Sequence, residues 1–311
     1  MFLAKDFIET AEGLVFAVVE NGIEHGKVLC FLRYICTSTP LKKIDTRKAN
    51  QLLSKQYSQY LYFSTAKQAH LHAVTVDKIV RHYQPRSRLK NLLKHQTLDA
   101  VEIDLKQLCH LFVKQGLNLN EIGVTGSILI AAQNNNSDID LVFYEREAFH
   151  SARGLIRQLI KQKHCQQLSE EDWKASYAKR DCELNYDEYI WHEKRKFNKV
   201  LINQRKVDLS LVCDIAQDNQ IIQYKKLQAV IVKARVTEDF LAFDYPSVYL
   251  IDHPHIHSVV SYTATYTGQA KTGEWIEVSG LLEQADDESK RIVVGSSREA
   301  PGEYIKVINA Q

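Results

Sequence analysis

The segment EIGVTGSILIAAQNNNSDIDLVFY (121–144) constrains the fold of this chain more than any other part of the sequence. It predicts a short strand, a glycine turn, a short helix, a polar turn and a strongly apolar strand in succession. Apolar residues at helical spacing precede it from 98 to 113, with Gly116 as a C-cap, and a second amphipathic helix is predicted at 146–161. Another apolar strand, RKVDLSLV, follows at 205–212. This alternation of helices and strands indicates an α/β-like core.

Different patterns flank this core on both sides. On the N-terminal side, LVFAVVE (14–20) and VLCFLRYI (28–35) predict a β-hairpin, and residues 45–95 have a basic, helical pattern. Beyond about residue 228, short β-branched and aromatic runs alternate with turns, which predicts an all-β module. The fold class is therefore predicted to be α+β. We expect three parts: an N-terminal β-hairpin with a helical region (1–95), a core with a mixed sheet and helices (96–227), and a C-terminal β-rich domain (228–311).

Composition narrows the class of protein without naming a function. The chain has 311 residues, of which 45% are hydrophobic and 25% charged, enough for more than one buried core. A net charge of +2 does not by itself indicate nucleic-acid or membrane binding. The N-terminus lacks the apolar region of a secretory signal, and no run approaches the roughly twenty apolar residues of a membrane span. Six widely spaced cysteines are expected to be buried thiols, and we expect a cytoplasmic protein without a membrane partner.

Two aspartates in the predicted core strand indicate a metal site. Asp138 and Asp140 lie two residues apart, so their side chains leave the same face of a strand. Carboxylates this close repel each other unless a cation lies between them, and hard oxygen ligands suit Mg²⁺ or Mn²⁺. Asp208, in the later strand, can join the pair if the two strands are neighbours in the sheet. Three acids could then hold two metal ions, which activate an attacking oxygen and neutralise a leaving phosphate.

A glycine-serine turn lies upstream of the aspartates. Gly126 and Ser127 fall where a strand ends and a short helix begins, so backbone N–H groups and the Ser127 hydroxyl could bind a phosphate. Either motif alone is common in turns and strand ends. Together, as G-S-x10-D-x-D followed by a later aspartate, they are a much more specific pattern.

This pattern resembles the catalytic domain of the DNA polymerase β-like nucleotidyltransferase superfamily. The segment at 121–144, with YAKR (177–180) and WHEKRKFN (191–198), is also similar to a group of archaeal and bacterial predicted nucleotidyltransferases. The resemblance implies transfer of a nucleoside monophosphate (NMP) from a nucleoside triphosphate (NTP) to an acceptor hydroxyl, with release of pyrophosphate. It implies that Gly126 and Ser127 bind the triphosphate, that Asp138 and Asp140 bind both metals, and that Asp208 binds the catalytic metal. Three other acids compete with Asp208 for the third position: Asp181, Asp187 and Asp214.

The densest basic stretch lies just before the strand that carries Asp208. Within it, Arg195 and Lys196 are our candidates for nucleotide-binding side chains, although a solvated helix face explains such a stretch equally well. Three alternating histidines, His253, His255 and His257, are more typical of an exposed loop than of a metal site. The extra N- and C-terminal parts and the basic flank favour an RNA acceptor, such as a tRNA 3′ end. Nucleotidylation of a protein or small molecule, and a non-catalytic nucleotide- or nucleic-acid-binding module, remain the alternatives.

Overall fold

A computed structural model describes residues 1–36, 41–65, 69–180, 182–213, 224–296 and 300–308. The chain divides into two compact units: the first comprises Met1–Gln166 and Val200–Gln217, and the second comprises Gln167–Lys199 and Asp218–Gln311. The α+β class and the C-terminal β module are confirmed. The units differ from the three expected parts, because the N-terminal part and most of the core form one unit, while residues 167–199 join the C-terminal module.

An antiparallel sheet forms the N-terminal half of the first unit. Its elements are β1 (Phe7–Thr10), β2 (Leu14–Val18), β3 (Lys27–Ile35), β4 (Lys42–Lys43), α1 (Thr46–Gln56), β5 (Leu61–Ser64), β6 (Ala69–Thr75), β7 (Ile79–Tyr83) and α2 (Pro85–Lys94). The strand order is β5-β6-β3-β2-β1-β7, with β4 paired to β3. The predicted hairpin is therefore the centre of a larger sheet.

The helical prediction for 45–95 is only half right. Helices α1 and α2 are present, but β5, β6 and β7 lie between them and complete the sheet. The strand β6 carries a buried histidine, His72, which accepts a hydrogen bond from the Leu32 N–H at 3.0 Å and contacts Asn50 of α1 at 2.7 Å. Because these hydrogen bonds satisfy the His72 ring inside the core, the histidine-rich segment forms a strand that its composition did not predict.

Both faces of this sheet are covered, which explains the nearly continuous apolar sequence of β2. Leu14 and Phe16 point to one face, where Ala49 and Leu53 of α1 pack. Val15 points to the opposite face and packs in a second buried cluster. The members of that second cluster are Phe7, Val15, Tyr34, Leu129 and Ile130, with Ala17, Leu41, Tyr83 and Ala132 packed against it. The N-terminal sheet thus shares a core with residues that directly follow the glycine-serine turn.

The rest of the first unit is the expected α/β-like core. Its elements are α3 (Ala100–Lys114), β8 (Ile122–Thr125), α4 (Gly126–Leu129), β9 (Ile139–Phe143), α5 (Arg146–Lys161), β10 (Lys199–Ile202) and β11 (Arg205–Leu211). The sheet order is β10-β11-β9-β8, and β9 is parallel to β11 and antiparallel to β8. Helix α3 begins with a capping box of Asp99 and Glu102, and α5 has the predicted bounds.

The second unit contains two helices and a β-barrel. Its elements are α6 (Glu170–Ala178), α7 (Tyr186–Lys196), β12 (Tyr224–Glu238), β13 (Ser247–Asp252), β14 (Ser258–Ser261), β15 (Trp275–Ala285), β16 (Lys290–Val294) and β17 (Tyr304–Ile308). In the described residues the pairings close a ring in the order β12-β13-β14-β16-β15-β12, and β17 adds to β15. Strands β14 and β16 are parallel. This connectivity is that of an OB-type barrel.

All six cysteines are free thiols. Cys30, Cys109 and Cys165 are buried, but Cys36 is exposed and the remaining two are partly exposed, so the prediction of uniformly buried thiols is wrong. Cys36 comes directly after β3, where the strand alternation that buries Cys30 has ended. Among the helices that the structure describes, none is long and apolar enough to cross a membrane.

A buried ion pair lies within the second unit. The Lys196 side chain is 2% exposed, and its ammonium donates to Glu193 at 2.6 Å and to the Thr265 carbonyl at 2.8 Å. Lys199 is a second cation on Glu193. Burial alone would raise the pKa of the Glu193 carboxyl, but Lys196 and Lys199 outweigh it and hold that pKa at about 2. The pair therefore joins α7 to the barrel.

We expect Lys196→Met to lower the free energy of unfolding by about 3 kcal/mol, because it leaves a buried carboxylate with one cation fewer and the Thr265 carbonyl without its donor. Lys194→Met is the matched control, since it removes the same charge from an exposed position of the same helix. Urea unfolding of both variants measures the difference. Equal stability of the two variants would contradict this role for Lys196.

Candidate active site

The structure brings Asp140 and Asp208 together on neighbouring strands. In the parallel pairing of β9 and β11, Asp208 lies directly opposite Asp140, and Thr125 of β8 lies opposite Asp140 on the other side. Both carboxylates are partly exposed, and Asp138, just before β9, is exposed. Side chains paired in this register leave the same face of the sheet, as does the side chain two residues before. The three acids therefore address one region.

The electrostatics of Asp140 reflect this crowding. Burial, together with the negative charges of Asp208 and Asp138, raises the pKa of the Asp140 carboxyl from 3.8 to about 6. Two cations act in the opposite direction on this pKa: Lys5 and Lys43 of the N-terminal sheet region. The charged form of Asp140 is therefore disfavoured unless further positive charge is present.

Gly126 is required in this arrangement for two reasons. Its φ angle is +66°, a left-handed conformation that side chains disfavour. A Cβ atom at this position would also lie 2.2 Å from Oδ2 of Asp140. The glycine therefore lets the turn approach the Asp140 carboxylate, and the two motifs of the sequence pattern meet here.

Helix α4, which begins at Gly126, is a single turn of four residues, so it offers the amide groups of a turn and little helix dipole. Ser127 is partly exposed on this turn. Two contacts hold the turn from outside: the Thr125 hydroxyl donates to the Lys5 carbonyl at 2.7 Å, and Arg88 of α2 donates to the Ile128 carbonyl at 2.9 Å. Arg88 also forms an ion pair with Glu102 of α3 at 2.7 Å.

An arginine fixes the loop that leads into Asp138. Arg205, at the start of β11, donates to the carbonyls of Asn135 and Ser137, both at 2.8 Å. Its guanidinium also pairs with Asp104 of α3 at 2.7 Å. Arg205 is therefore a brace for the acidic loop.

The donor set suits a hard divalent cation. Three carboxylates from the same face of the sheet offer oxygen ligands of the kind that Mg²⁺ and Mn²⁺ prefer. The raised pKa of Asp140 also shows that added positive charge would stabilise this group of acids. In the described parts of the chain, no three His, Cys, Asp or Glu side chains are already arranged as a finished metal site. Side-chain rotation around the cation would have to complete the coordination of Asp138, Asp140 and Asp208.

The predicted nucleotide-binding pair lies in the second unit and is engaged there. Arg195 forms an ion pair with Glu274 and lies over the Trp191 ring, 4.3 Å from its centroid. Lys196 is buried in the ion pair described above. These contacts give both side chains a structural role, so neither is carried forward as a nucleotide ligand.

The sequence offered further candidates for the third carboxylate and for a metal site. Of the competitors for the third carboxylate, Asp187 is exposed in the first turn of α7 in the second unit. Asp181 and Asp214 lie outside the described residues. His253 and His255 contact each other with ring centroids 6.3 Å apart, and no metal-binding group that includes them occurs in the described chain. Asp208 is therefore the acid whose register with Asp140 is established.

Sequence reasoning missed four contributors: Lys5, Lys43, Arg88 and the bracing role of Arg205. Lys5, Lys43 and Arg88 come from the N-terminal region, and the two lysines precede Gly126 by 83 or more positions. No local spacing therefore connects them to the motif. One signal was available: the nearly continuous apolar sequence of β2 requires cover on both faces of the N-terminal sheet, which indicates that the sheet packs against another element.

The fold and the site define an α+β protein with an acidic group on the two central strands of a mixed sheet and a glycine turn against it. Over 333 aligned positions the chain is 34% identical to Uncharacterized protein MJ1086 of Methanocaldococcus jannaschii, an alignment that covers 97% of this chain and 98% of that protein. The chain belongs to the same protein family as MJ1086. No family model matches the chain, and no solved structure matches it.

We expect Gly126→Ala to destabilise the fold more than Gly116→Ala does. Both glycines have positive φ, so both variants carry about 1 kcal/mol of backbone strain, but only Gly126 also faces Asp140, whereas a Cβ at Gly116 meets nothing within 4 Å. Thermal unfolding with and without Mn²⁺ measures both effects. Gly126→Ala should lose the stabilisation by Mn²⁺ because the Asp140 carboxylate is displaced. A full Mn²⁺ response in this variant would count against the described contact.

The raised pKa of Asp140 predicts a specific pH dependence of stability. The folded state binds this proton more tightly than the unfolded chain, so without divalent cations the contribution of Asp140 to stability falls as the pH rises from 3.8 through about 6. Asp140→Asn should therefore be more stable than wild type at pH 7.5 by about 1–2 kcal/mol after allowance for solvent screening, and the difference should shrink toward pH 4. Asp77→Asn, at an exposed position, is the control for loss of one negative charge. The same difference at both pH values would refute the explanation.

Proposed function

We propose that this protein is a metal-dependent nucleotidyltransferase that moves NMP from an NTP to an acceptor hydroxyl and releases pyrophosphate. One observation carries the proposal: Asp208 lies in register with Asp140 on the neighbouring parallel strand, and Gly126 backs directly onto the same carboxylate. The glycine turn and the acids of the sequence pattern thus form one site. The resemblance to the DNA polymerase β-like superfamily supplies the reaction, and the geometry supports it.

The role of the acids follows from their charge and position. Asp138, Asp140 and Asp208 would hold Mg²⁺ or Mn²⁺, which, when bound, neutralises the triphosphate and lowers the pKa of the attacking hydroxyl. Acids alone would repel a triphosphate, so a pure nucleotide-binding module has little use for three of them at one place. This favours catalysis over the non-catalytic alternative.

The bonds change in a single displacement. The acceptor oxygen forms a bond to the α-phosphorus, and the bond from the α-phosphorus to the bridging oxygen breaks, so that pyrophosphate leaves. Asp208 accepts the proton of the acceptor hydroxyl. Gly126 and Ser127 present the amides and hydroxyl of the turn to the triphosphate, since both residues are partly exposed beside Asp140. The arginine contacts on either side keep the turn and the acidic loop in place.

As acceptor we propose an RNA hydroxyl, such as a tRNA 3′ end. The supporting observation is the OB-type connectivity of the second unit, an architecture that in other proteins often binds oligonucleotides. The connectivity is an analogy of fold, and the basic stretch gives it no help because Arg195 and Lys196 are paired internally.

A labelling experiment tests reaction and acceptor together. The full chain is incubated with each α-labelled NTP, Mg²⁺ or Mn²⁺, and either total RNA or total protein from the source cells, and the labelled product is identified. Label in RNA supports the proposal, whereas label in protein replaces the acceptor and keeps the reaction. Metal-dependent NTP binding without any labelled product or pyrophosphate would favour the non-catalytic module.

Variants of the acids connect the activity to the site. Asp138→Ala and Asp208→Asn should each lower the rate by about a hundredfold or more, because each removes a metal ligand from the transition state. Thermal stability should change little for Asp138→Ala, whose side chain is exposed. Asp187→Asn, in the second unit, is the matched control and should retain full activity. Normal turnover of Asp208→Asn would remove Asp208 from the site.

A further inference from the structure

Two lysines of the N-terminal sheet region belong to the electrostatic environment of the acids. Lys5 precedes β1 and Lys43 lies in β4, yet the positive charges of both act on the carboxylate of Asp140. Both side chains are exposed. They therefore lie where solvent, or a ligand at the acidic site, can reach them.

The backbone of Lys5 is fixed at the glycine turn. Its φ angle is +74°, its N–H donates to the Val18 carbonyl at 2.9 Å, and its carbonyl accepts from the Thr125 hydroxyl. Thr125 is the residue directly before Gly126 and is paired with Asp140 in the sheet. On either side of Lys5, Ala4 packs against a buried cluster of the core sheet and Asp6 is buried. A flexible side chain thus projects from a rigid attachment beside the site.

Lys43 is connected to the same turn through the sheet. It pairs with Tyr34 of β3, and the Tyr34 ring is buried in the cluster that contains Leu129 and Ile130, which follow the glycine-serine turn by two and three residues. The Ile44 N–H also donates to the Arg33 carbonyl at 2.9 Å, which holds the end of β4 against β3. The N-terminal sheet therefore presents two lysines to the site through two separate contacts with the turn.

These lysines are unlike the arginines near the site, which are already occupied. Arg88 is bound to Glu102 and Arg205 to Asp104. Within the described part of the chain, the ammonium groups of Lys5 and Lys43 form no ion pair or hydrogen bond. Arg195 and Lys196 form ion pairs within the second unit. Among the described cations of the first unit, Lys5 and Lys43 lower the pKa of Asp140, and their ammonium groups have no partner in the described residues.

We propose that Lys5 and Lys43 bind the β- and γ-phosphates of the nucleotide and follow the pyrophosphate as it leaves. This inference rests on the proposed function and assigns the triphosphate subsite to the N-terminal sheet. A lysine ammonium is a point charge that binds phosphate oxygens in many geometries, which suits a leaving group that moves. The acids hold the metal, and the two lysines hold the end of the triphosphate that the metal does not neutralise.

The test measures binding of magnesium tripolyphosphate, which carries the linked phosphates without a base, and of the four α,β-methylene NTPs with Mg²⁺. Isothermal titration calorimetry compares the full-length wild type with Lys5→Met, Lys43→Met and Lys42→Met. Lys42 is the matched control, since it is the exposed neighbour of Lys43 in β4 and its loss changes the net charge equally. Each of the two site variants should weaken binding roughly tenfold, and Lys42→Met should bind like wild type.

A second measurement separates phosphate binding from a structural effect. Binding of Mn²⁺ alone should be unchanged or tighter in Lys5→Met and Lys43→Met, because a cation that competes for the acids has been removed. A damaged site would instead lose Mn²⁺ and tripolyphosphate together, which overturns the inference. Wild-type affinity for tripolyphosphate in both variants also overturns it, while the proposed function stands. If the wild type binds none of the nucleotide or phosphate probes, the proposed function itself fails.

Discussion

The carboxylates around Asp140 repel each other, and contacts within the first unit hold them in place. Asp140 lies between Thr125 and Asp208 in the sheet, and Gly126 lies directly against its carboxylate. Burial first, and then the negative charges of Asp208 and Asp138, raise the pKa of Asp140 to about 6. An acidic group of this kind persists only where the surrounding structure holds it in place more strongly than the charges repel each other.

The restraint comes from elements far apart in the chain. Arg205 ties the loop before Asp138 to α3, Arg88 ties the glycine turn to α2, and the Lys5 carbonyl ties it to the N-terminal sheet. At the turn and the acidic loop, each of these three contacts ends on a backbone atom rather than on Asp138, Asp140 or Asp208. The N-terminal sheet is therefore part of the site, and its shared core with Leu129 and Ile130 explains why it belongs to the same compact unit.

The sequence predicted what is encoded over short distances and missed what depends on packing. The strand, turn and strand of 121–144 and the helix at 146–161 were predictable because their apolar periodicity and turn residues act locally. The neighbouring position of Asp208 was predicted as a condition and depends on strand order, which the pattern alone cannot fix. The strands within 45–95 were missed because His72 is satisfied by Asn50 and Leu32, a contact that composition does not reveal. Likewise Lys196 has the sequence context of a phosphate ligand and the surroundings of a buried ion pair.

The kinds of cation around the site follow the demands placed on them. Arginine forms several directed hydrogen bonds from one planar group, and Arg205 uses them to hold two carbonyls and one carboxylate at the same time. Lysine offers a mobile point charge, and lysines are what the N-terminal sheet presents beside the acids. The proposed reaction would need both a rigid acidic loop and the release of a charged product. Arginines at the braced backbone and exposed lysines beside the acids would meet these two demands, and an exchange of the two residue types would weaken both.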